Sequence, residues 1–282
     1  MIDRRQRLIQ IFEDTQQFIK ENPILSQKAE KARKATEFYP VDEYPTIITA
    51  LQDKPGAICV SKHRTFEAAV EVHRSNLSWK TAVLNFASAT NPGGGVTKGS
   101  SAQEESLCRC STLYPVLNTP LLWSQYYSVN REARNPLYTD SLIYSPGIVI
   151  CKTDDDYPER LEERDWVEVD VLTCAAPNLR QRPGNIYNPD DSLAVTIDPA
   201  ELYELHKKRG KHILTVAASK GVDALVLGAF GCGAFQNDPA VVAEAYKAVI
   251  GDYKSYFHYI EFAIYCGPRE TENYEVFSEV LG

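Results

Sequence analysis

The sequence predicts an α/β fold in which helices cover both faces of a single sheet. Three observations carry that expectation. The run Thr81–Phe86 (TAVLNF) is apolar without alternation, as a strand buried on both faces requires. Strand-like and helix-like stretches alternate along the whole chain. Two helices announce their starts with Asp198-Pro199 and Asp238-Pro239, where Asp suits the N-cap and Pro the first helical position. With 282 residues, 44% of them apolar and 24% charged, the composition is that of an ordinary globular protein with a sizeable core.

Taken in order, residues 5–20 place Leu8, Ile11, Phe12, Thr15, Phe18 and Ile19 on one helical face. The polar stretch 27–36 continues as helix or linker. Residues 56–60 (GAICV) read as a short strand, 65–73 (TFEAAVEVH) as a helix, and Thr81–Phe86 as the buried strand. A glycine-rich loop follows, then a helix over 102–117. Further strands are expected at 143–151, Val167–Cys174, Ala224–Leu227 and 259–265. Behind Asp198-Pro199 come Leu202, Leu205, Ile213 and Val216, and behind Asp238-Pro239 come Val241, Val242, Ala245 and Val249. Residues 178–196 form one long irregular stretch, which reads as a lid or binding surface, or as a domain boundary. The α/β pattern on both sides favours one domain.

The formal charge of −8 and the lack of a basic block argue against binding duplex nucleic acid, which depends on neutralising phosphates. No apolar run approaches the ~18 residues of a membrane span. Charges interrupt the first residues, MIDRRQRLIQIFEDTQQF, so no secretory signal is expected, and Asp3, Glu13 and Asp14 count against a matrix-targeting peptide. The seven cysteines, an odd number lying partly in apolar strands, read as buried free thiols of a reducing compartment, hence a cytoplasmic protein.

Two constellations carry the chemistry. In NFASATNPGGGVTKGSSAQEE, from Asn85 to Glu105, a buried strand runs into Gly93, Gly94 and Gly95, and a helix starts near Ser101. Glycine permits positive φ and close ligand approach, and successive N–H groups beside a helix N-terminus can nest an anion. The plainer reading is a capping box, Ser101-Ala102-Gln103-Glu104, in which Glu104 only satisfies a backbone donor. The second constellation, GAFGCGAFQNDP from Gly228 to Pro239, also lies between an apolar strand and a capped helix. Ligands of α/β sheets bind at the carboxyl ends of strands, and two facing nests suit a diphosphate. A P-loop is excluded because Ser100 and Ser101 follow Gly99 where Lys is needed, and a dinucleotide fingerprint because Lys98 and Gln236 stand where a small residue is needed.

These residues resemble microbial-type poly(ADP-ribose) glycohydrolases. Gly93-Gly94-Gly95, seven further residues and Gln103-Glu104-Glu105 look like the family signature. LNFASATNPGGG, CRCSTLYPVL, IYSPGIVICKTDD, VDVLTCAAPN and LGAFGCGAFQNDP add to the likeness, which runs from about residue 5 to about residue 265. The resemblance implies a macrodomain-like three-layer α/β/α unit with a central mixed sheet over 51–282, preceded by an N-terminal helical extension over 1–50. It implies hydrolysis of the ribose–ribose O-glycosidic bond, acting from the polymer end and releasing ADP-ribose; removal of mono-ADP-ribose and catalytically silent ADP-ribose binding are the alternatives. Glu105 becomes the catalytic acid and base, and Glu104 the holder of the ribose hydroxyls. Asn91, Gly93, Gly94, Gly95, Val96 and Gln103 become contacts to ribose and diphosphate. Gly231, Cys232, Gly233, Ala234 and Phe235 wrap the diphosphate, with Phe235 against the terminal ribose. ADP-ribose polymer or ADP-ribosylated macromolecules are the expected partners; no cofactor, metal or membrane is implied.

Neighbouring helical residues diverge by about 100°, so Glu104 and Glu105 are not expected to flank a bond as paired glycosidase carboxylates do. One acid then serves twice. Its pKa is expected to rise far enough for protonation only in the complex. Cys108 and Cys110 lack partners for zinc. Cys232 lacks the flanking glycines of a nucleophile elbow, since Phe230 and Ala234 occupy those positions. His63, His73, His206, His212 and His258 read as surface or packing residues, Tyr126, Tyr127 and Tyr138 as core and rim, and residues 154–156 as a solvated turn.

Overall fold

The computed structural model describes residues 3–184, 194–267 and 270–282. Seven strands form one mixed sheet in the order β1-β4-β5-β3-β6-β7-β2. They are β1 (Glu37–Tyr39), β2 (Ala57–Ser61), β3 (Thr81–Phe86), β4 (Leu142–Ile150), β5 (Val167–Cys174), β6 (Ala224–Leu227) and β7 (Tyr259–Ala263). Strands β5, β3, β6, β7 and β2 are parallel, whereas β4 runs antiparallel to β5 and to β1. The chain leaves β3 to build β4 and β5 on one side, then crosses to β6 on the other. That reversal opens a crevice at the carboxyl ends of β3, β5 and β6.

The apolar run of β3 is explained by its two faces. Ala82 and Leu84 join the core beneath α8 (Pro199–Ser219), α9 (Pro239–Tyr253) and α10 (Glu272–Leu281). Val83 faces the opposite core with Phe66 of α3 (Thr65–Ser75) and Leu107 of α4 (Gln103–Cys110). The sheet is therefore a layer between two layers of helices, as expected. Asp198 accepts the N–H groups of Ala200 and Glu201, and Asp238 that of Ala240, so both Asp-Pro helix starts form.

At the N-terminus, α1 (Arg4–Glu21) and α2 (Pro23–Ala35) are both helical, and the stretch at 27–36 is no linker. Asn22 breaks them apart and caps the second through Ile24 and Leu25. Leu8, Phe12 and Ile19 of α1 are buried, each adding ~1.5–3 kcal/mol of hydrophobic stabilisation. The helix is also fastened by polar contacts: Thr15 Oγ1 donates to the Arg109 carbonyl at 2.6 Å, and the buried Lys152 ammonium lies 2.7 Å from Asp14 and 3.1 Å from the Ile11 carbonyl. The extension is not helical throughout, because β1 follows α2 and pairs Glu37 with Tyr144 at the sheet edge.

The single helix expected over 102–117 is two, α4 and α5 (Leu113–Leu117). The Cys110 carbonyl accepts from the N–H groups of Cys151 and Lys152, and Ser111 bridges to Ile150, so the end of β4 captures the backbone that would have continued the helix. Two short turns, α6 (Pro120–Leu122) and α7 (Ser128–Ala133), then lead back to the sheet. Asp154 is not in a merely solvated turn either. It accepts the Phe66 N–H at 2.9 Å and the Ser106 hydroxyl at 3.3 Å, joining the starts of α3 and α4. All seven thiols are free, but only Cys108, Cys110, Cys151 and Cys174 are fully buried. The stretch 178–196, read as a lid or binding surface or as a domain boundary, includes residues 185–193, which lie outside the described residues.

Candidate active site

The crevice is floored by the turn after β3. Gly93 and Gly94 take φ values of +68° and +57°, a region that L side chains rarely enter. Their conformation turns the chain under the first residues of α4, which carries Glu104 and Glu105. The capping box does not form: the N-cap is Ala102, in extended conformation and without a side-chain cap. Glu104 is thereby released from capping and points into the fold.

Glu104 is fixed by three donors. Asn85 Nδ2 lies 3.2 Å from its Oε1, the Ser88 N–H lies 2.7 Å from its Oε2, and the Gly93 N–H faces it as well. Glu105 accepts the Gly95 N–H at 2.8 Å through Oε1. The two carboxylates reach the same glycine: a Cβ placed on Gly94 would stand 2.6 Å from Glu105 Oε1 and 3.1 Å from Glu104 Oε2. Although the two side chains leave the helix in different directions, they end on one side of the crevice. Opposite-face catalysis by the pair is therefore excluded by convergence.

Burial raises the pKa of both acids. Desolvation, reinforced by the charge on Glu105, pushes Glu104 up to about 8. Desolvation also raises Glu105, opposed by the Gly95 N–H and by the positive charge of Arg109. The upward shift thus precedes any ligand, whereas the sequence suggested it only for the complex. Arg109, one helical turn below, donates through Nη1 to the Ser100 carbonyl at 2.6 Å and so braces the far side of the glycine turn.

Gln103 lies beside the acids but spends its amide on the protein. Its Nε2 donates to Thr65 Oγ1 at 3.0 Å and to the Leu84 carbonyl at 2.8 Å, and its oxygen accepts the Phe86 N–H at 2.9 Å. It pins α4 to the end of β3 and is a positioning residue, in correction of its expected role as a substrate contact. Asn91 is likewise engaged, donating to Thr90 Oγ1 and accepting from Arg131. Val96 is fully buried beneath the turn, in the core with Leu107 and Cys108.

The loop after β6 differs. Gly231, at φ +84°, packs so closely on the loop after β5 that a Cβ would stand 2.6 Å from the Ala176 Cβ. Among the described residues, apart from its chain neighbours, Gly233 has nothing within 4 Å of a Cβ position. Among the described residues, the N–H groups of Gly233, Ala234 and Phe235 have no protein acceptor. In the turn after β3, by contrast, Gly94 donates to Asn91, Val96 to Gly93 and Gly95 to Glu105. The expectation of two facing nests is corrected accordingly: only the second loop presents free amides for an anion. Phe235 flanks them, its ring 6.1 Å from that of Tyr138 and 5.7 Å from the Arg180 guanidinium. Burial pushes the Cys232 thiol well above its ordinary range, so it offers no nucleophile.

Sequence reasoning missed Asn85, Arg109, His206 and Asn237. Asn85 had a signal, since a lone amide in a doubly buried strand needs a partner. His206 is no mere packing residue, because its Nε2 lies 2.8 Å from Asn237 Oδ1. Among the described residues, no cluster of three His, Cys, Asp or Glu could hold a metal, and no helix is long and apolar enough to cross a membrane.

The family model described as microbial-type PARG, catalytic domain, matches residues 7–153. Among solved structures, a poly(ADP-ribose) glycohydrolase from Thermomonospora curvata shares 29% identity over 97% of this chain and 99% of that one, with a TM-score of 0.81. The same enzyme bound to the inhibitor ADP-HPD gives 30% identity, coverage of 96% and 98%, and a TM-score of 0.79. The poly(ADP-ribose) glycohydrolase from Deinococcus radiodurans in complex with ADP-ribose gives 32% identity, coverage of 89% and 95%, and a TM-score of 0.73. No curated protein matches.

Proposed function

This chain belongs to the microbial-type poly(ADP-ribose) glycohydrolase family, glycosidases that hydrolyse poly(ADP-ribose), and we propose that its reaction runs on Glu105 as the one acid and base. The observation that carries the assignment is the position of that carboxyl. It is held by the Gly95 N–H on the crevice side of a positive-φ glycine turn, with its pKa already raised by burial.

The bond broken joins two riboses. The departing 2′-oxygen needs a proton, and the anomeric carbon left behind develops oxocarbenium character. A protonated Glu105 supplies the proton, and its carboxylate then takes one from the incoming water. Both carboxyls sit on the same side, so water enters from the face the leaving group vacates and the product keeps its configuration. Glu104, locked by Asn85 and Ser88, is suited to orient the ribose hydroxyls. The free amides of Gly233, Ala234 and Phe235 receive the diphosphate of ADP-ribose, and Phe235 packs on the ribose beyond it. Asn91 and the glycine backbone at 93–95 border the ribose.

We take the action to be exo. The backbone of Arg5 at the start of α1 lies directly against Gly99, walling the end of the catalytic turn. Macromolecules carrying ADP-ribose polymer are the substrate class this reading implies. The test is incubation of wild type and Glu105→Gln with end-labelled polymer. Removing the proton equilibrium should slow ADP-ribose release by about 10²–10⁴-fold, the usual worth of general acid–base catalysis. A wild-type rate in that variant would overturn the assignment. Early release of labelled oligomers in place of ADP-ribose would overturn the exo reading.

A further inference from the structure

The loop after β6 is held open by a side-chain relay that begins on α8. Asn237 is buried and faces three backbone carbonyls through Nδ2: Pro177 at 2.7 Å, Gly231 at 3.1 Å and Phe235 at 3.3 Å. All three only accept, so the amide cannot be turned over, and its Oδ1 faces His206 Nε2 at 2.8 Å. An amide oxygen only accepts as well. His206 therefore carries its proton on Nε2 and leaves Nδ1 bare, a tautomer fixed by the hydrogen-bond network. Among the described residues, Nδ1 is indeed buried without a partner.

Each partner of Asn237 has a place in the site. Pro177 follows β5, while Gly231 and Phe235 bracket the free amides of the loop after β6. Leu179, two residues past Pro177, donates its N–H to the Phe235 carbonyl at 3.0 Å. One side chain thus ties two loops together and turns the carbonyls at 231 and 235 inward. With those carbonyls held, the segment that carries the N–H groups at 233–235 is anchored at both ends. Burial and the nearby Arg209 guanidinium keep the imidazole neutral, its pKa pushed down to about 4.

We propose that His206, donating from Nε2 to Asn237, is a positioning residue that preorganises the loop at 231–235 for the diphosphate. This rests on the reading of that loop as the diphosphate site. His206 touches no reacting atom, so its loss acts on binding and leaves the acid chemistry at Glu105 alone.

The experiment compares His206→Leu, His206→Gln and His206→Asn with wild type. Gln places a donor nitrogen near the position of Nε2, whereas Asn is too short to reach it and Leu has no donor. Three quantities are read: KM and kcat on polymer, the Kd of ADP-ribose by calorimetry, and hydrogen exchange of the 228–239 peptide without ligand. In His206→Leu we expect KM and Kd to rise about tenfold together, kcat to hold within about twofold, and exchange at 228–239 to quicken. His206→Gln should restore most of the affinity and His206→Asn should not. Should the Leu variant fail to fold, the contrast between Gln and Asn decides. Equal impairment in those two, or a fall in kcat at constant KM, would overturn the proposal. Quickened exchange with unchanged ADP-ribose affinity would show the relay intact but the loop misassigned, which overturns the diphosphate reading separately.

Discussion

Two glycine-rich turns follow two adjacent parallel strands, and they use their backbone amides in opposite ways. After β3, the N–H groups are consumed by the turn and by the acids: Gly94 bonds to Asn91, Val96 to Gly93, and Gly95 to Glu105. After β6, the N–H groups of Gly233, Ala234 and Phe235 remain free among the described residues, and the carbonyls are tied back by Asn237. The first turn is a cradle for two carboxyls; the second leaves its amides open, as the diphosphate site proposed for it requires. The lesson is that glycine content does not make an anion nest. What decides is whether something else in the fold has already claimed the N–H groups.

The comparison predicts a large, selective effect at Gly94. Alanine there would adopt φ +57° at a cost of ~1–2 kcal/mol and place its methyl group 2.6 Å from Glu105 Oε1. The carboxyl has to move, and a displacement of ~1 Å from reacting geometry can cost about 100-fold in rate. We expect Gly94→Ala to lower kcat by about 100-fold while ADP-ribose affinity stays within a few-fold, because the other loop is the proposed diphosphate site. Calorimetry beside single-turnover kinetics separates the two. Loss of binding equal to loss of rate would merge the turns into one functional unit.

A second test uses pH. Glu104 titrates near 4.5 when unfolded and at about 8 in the folded chain. A raised folded pKa contributes stability that is complete below the unfolded value and is lost as pH climbs through the folded one. Wild type should therefore lose stability between about pH 5 and pH 8.5. Glu104→Gln removes that slope, and the unpartnered Asn85 Oδ1 can turn to accept from the introduced amide. The variant should melt near wild type at pH 5 and several degrees above it at pH 8.5. Parallel melting curves across that range would mean that burial does not hold Glu104 protonated.

Local features of the sequence reveal most of the frame. Asp198 and Asp238 mark helix starts through chemistry confined to three residues, and the apolar run of β3 reports its own double burial. Long-range pins leave no such trace. Nothing near Gln103 indicates that its amide joins Thr65, Leu84 and Phe86, and nothing near Asn237 points to His206, 31 residues away. The break between α4 and α5 is hidden for the same reason, since strand β4, distant in sequence, supplies the competing hydrogen bonds. The glycine triplet and the adjacent acids were legible as a site, but the division of labour between the turns was not. That division depends on which partner each amide finds in three dimensions.

The smallest effect belongs to the open loop, where two glycines two residues apart should respond differently. At Gly231, a methyl group would meet the Ala176 Cβ at 2.6 Å and Asn237 Nδ2 at 2.9 Å, in a backbone at φ +84°. The strain falls where two loops are packed together, so Gly231→Ala should cost on the order of 2–3 kcal/mol of stability, read by urea unfolding. At Gly233, no atom of the described residues beyond its chain neighbours lies within 4 Å of the added methyl group, and no positive φ is required. Gly233→Ala should leave stability within about 0.5 kcal/mol of wild type. Its effect should appear only with ligand, as a few-fold weaker ADP-ribose Kd, because the methyl group then stands beside amides that the diphosphate approaches closely. If stability falls at 233 and not at 231, the open position has been placed on the wrong glycine, and the anion belongs nearer the β5 loop.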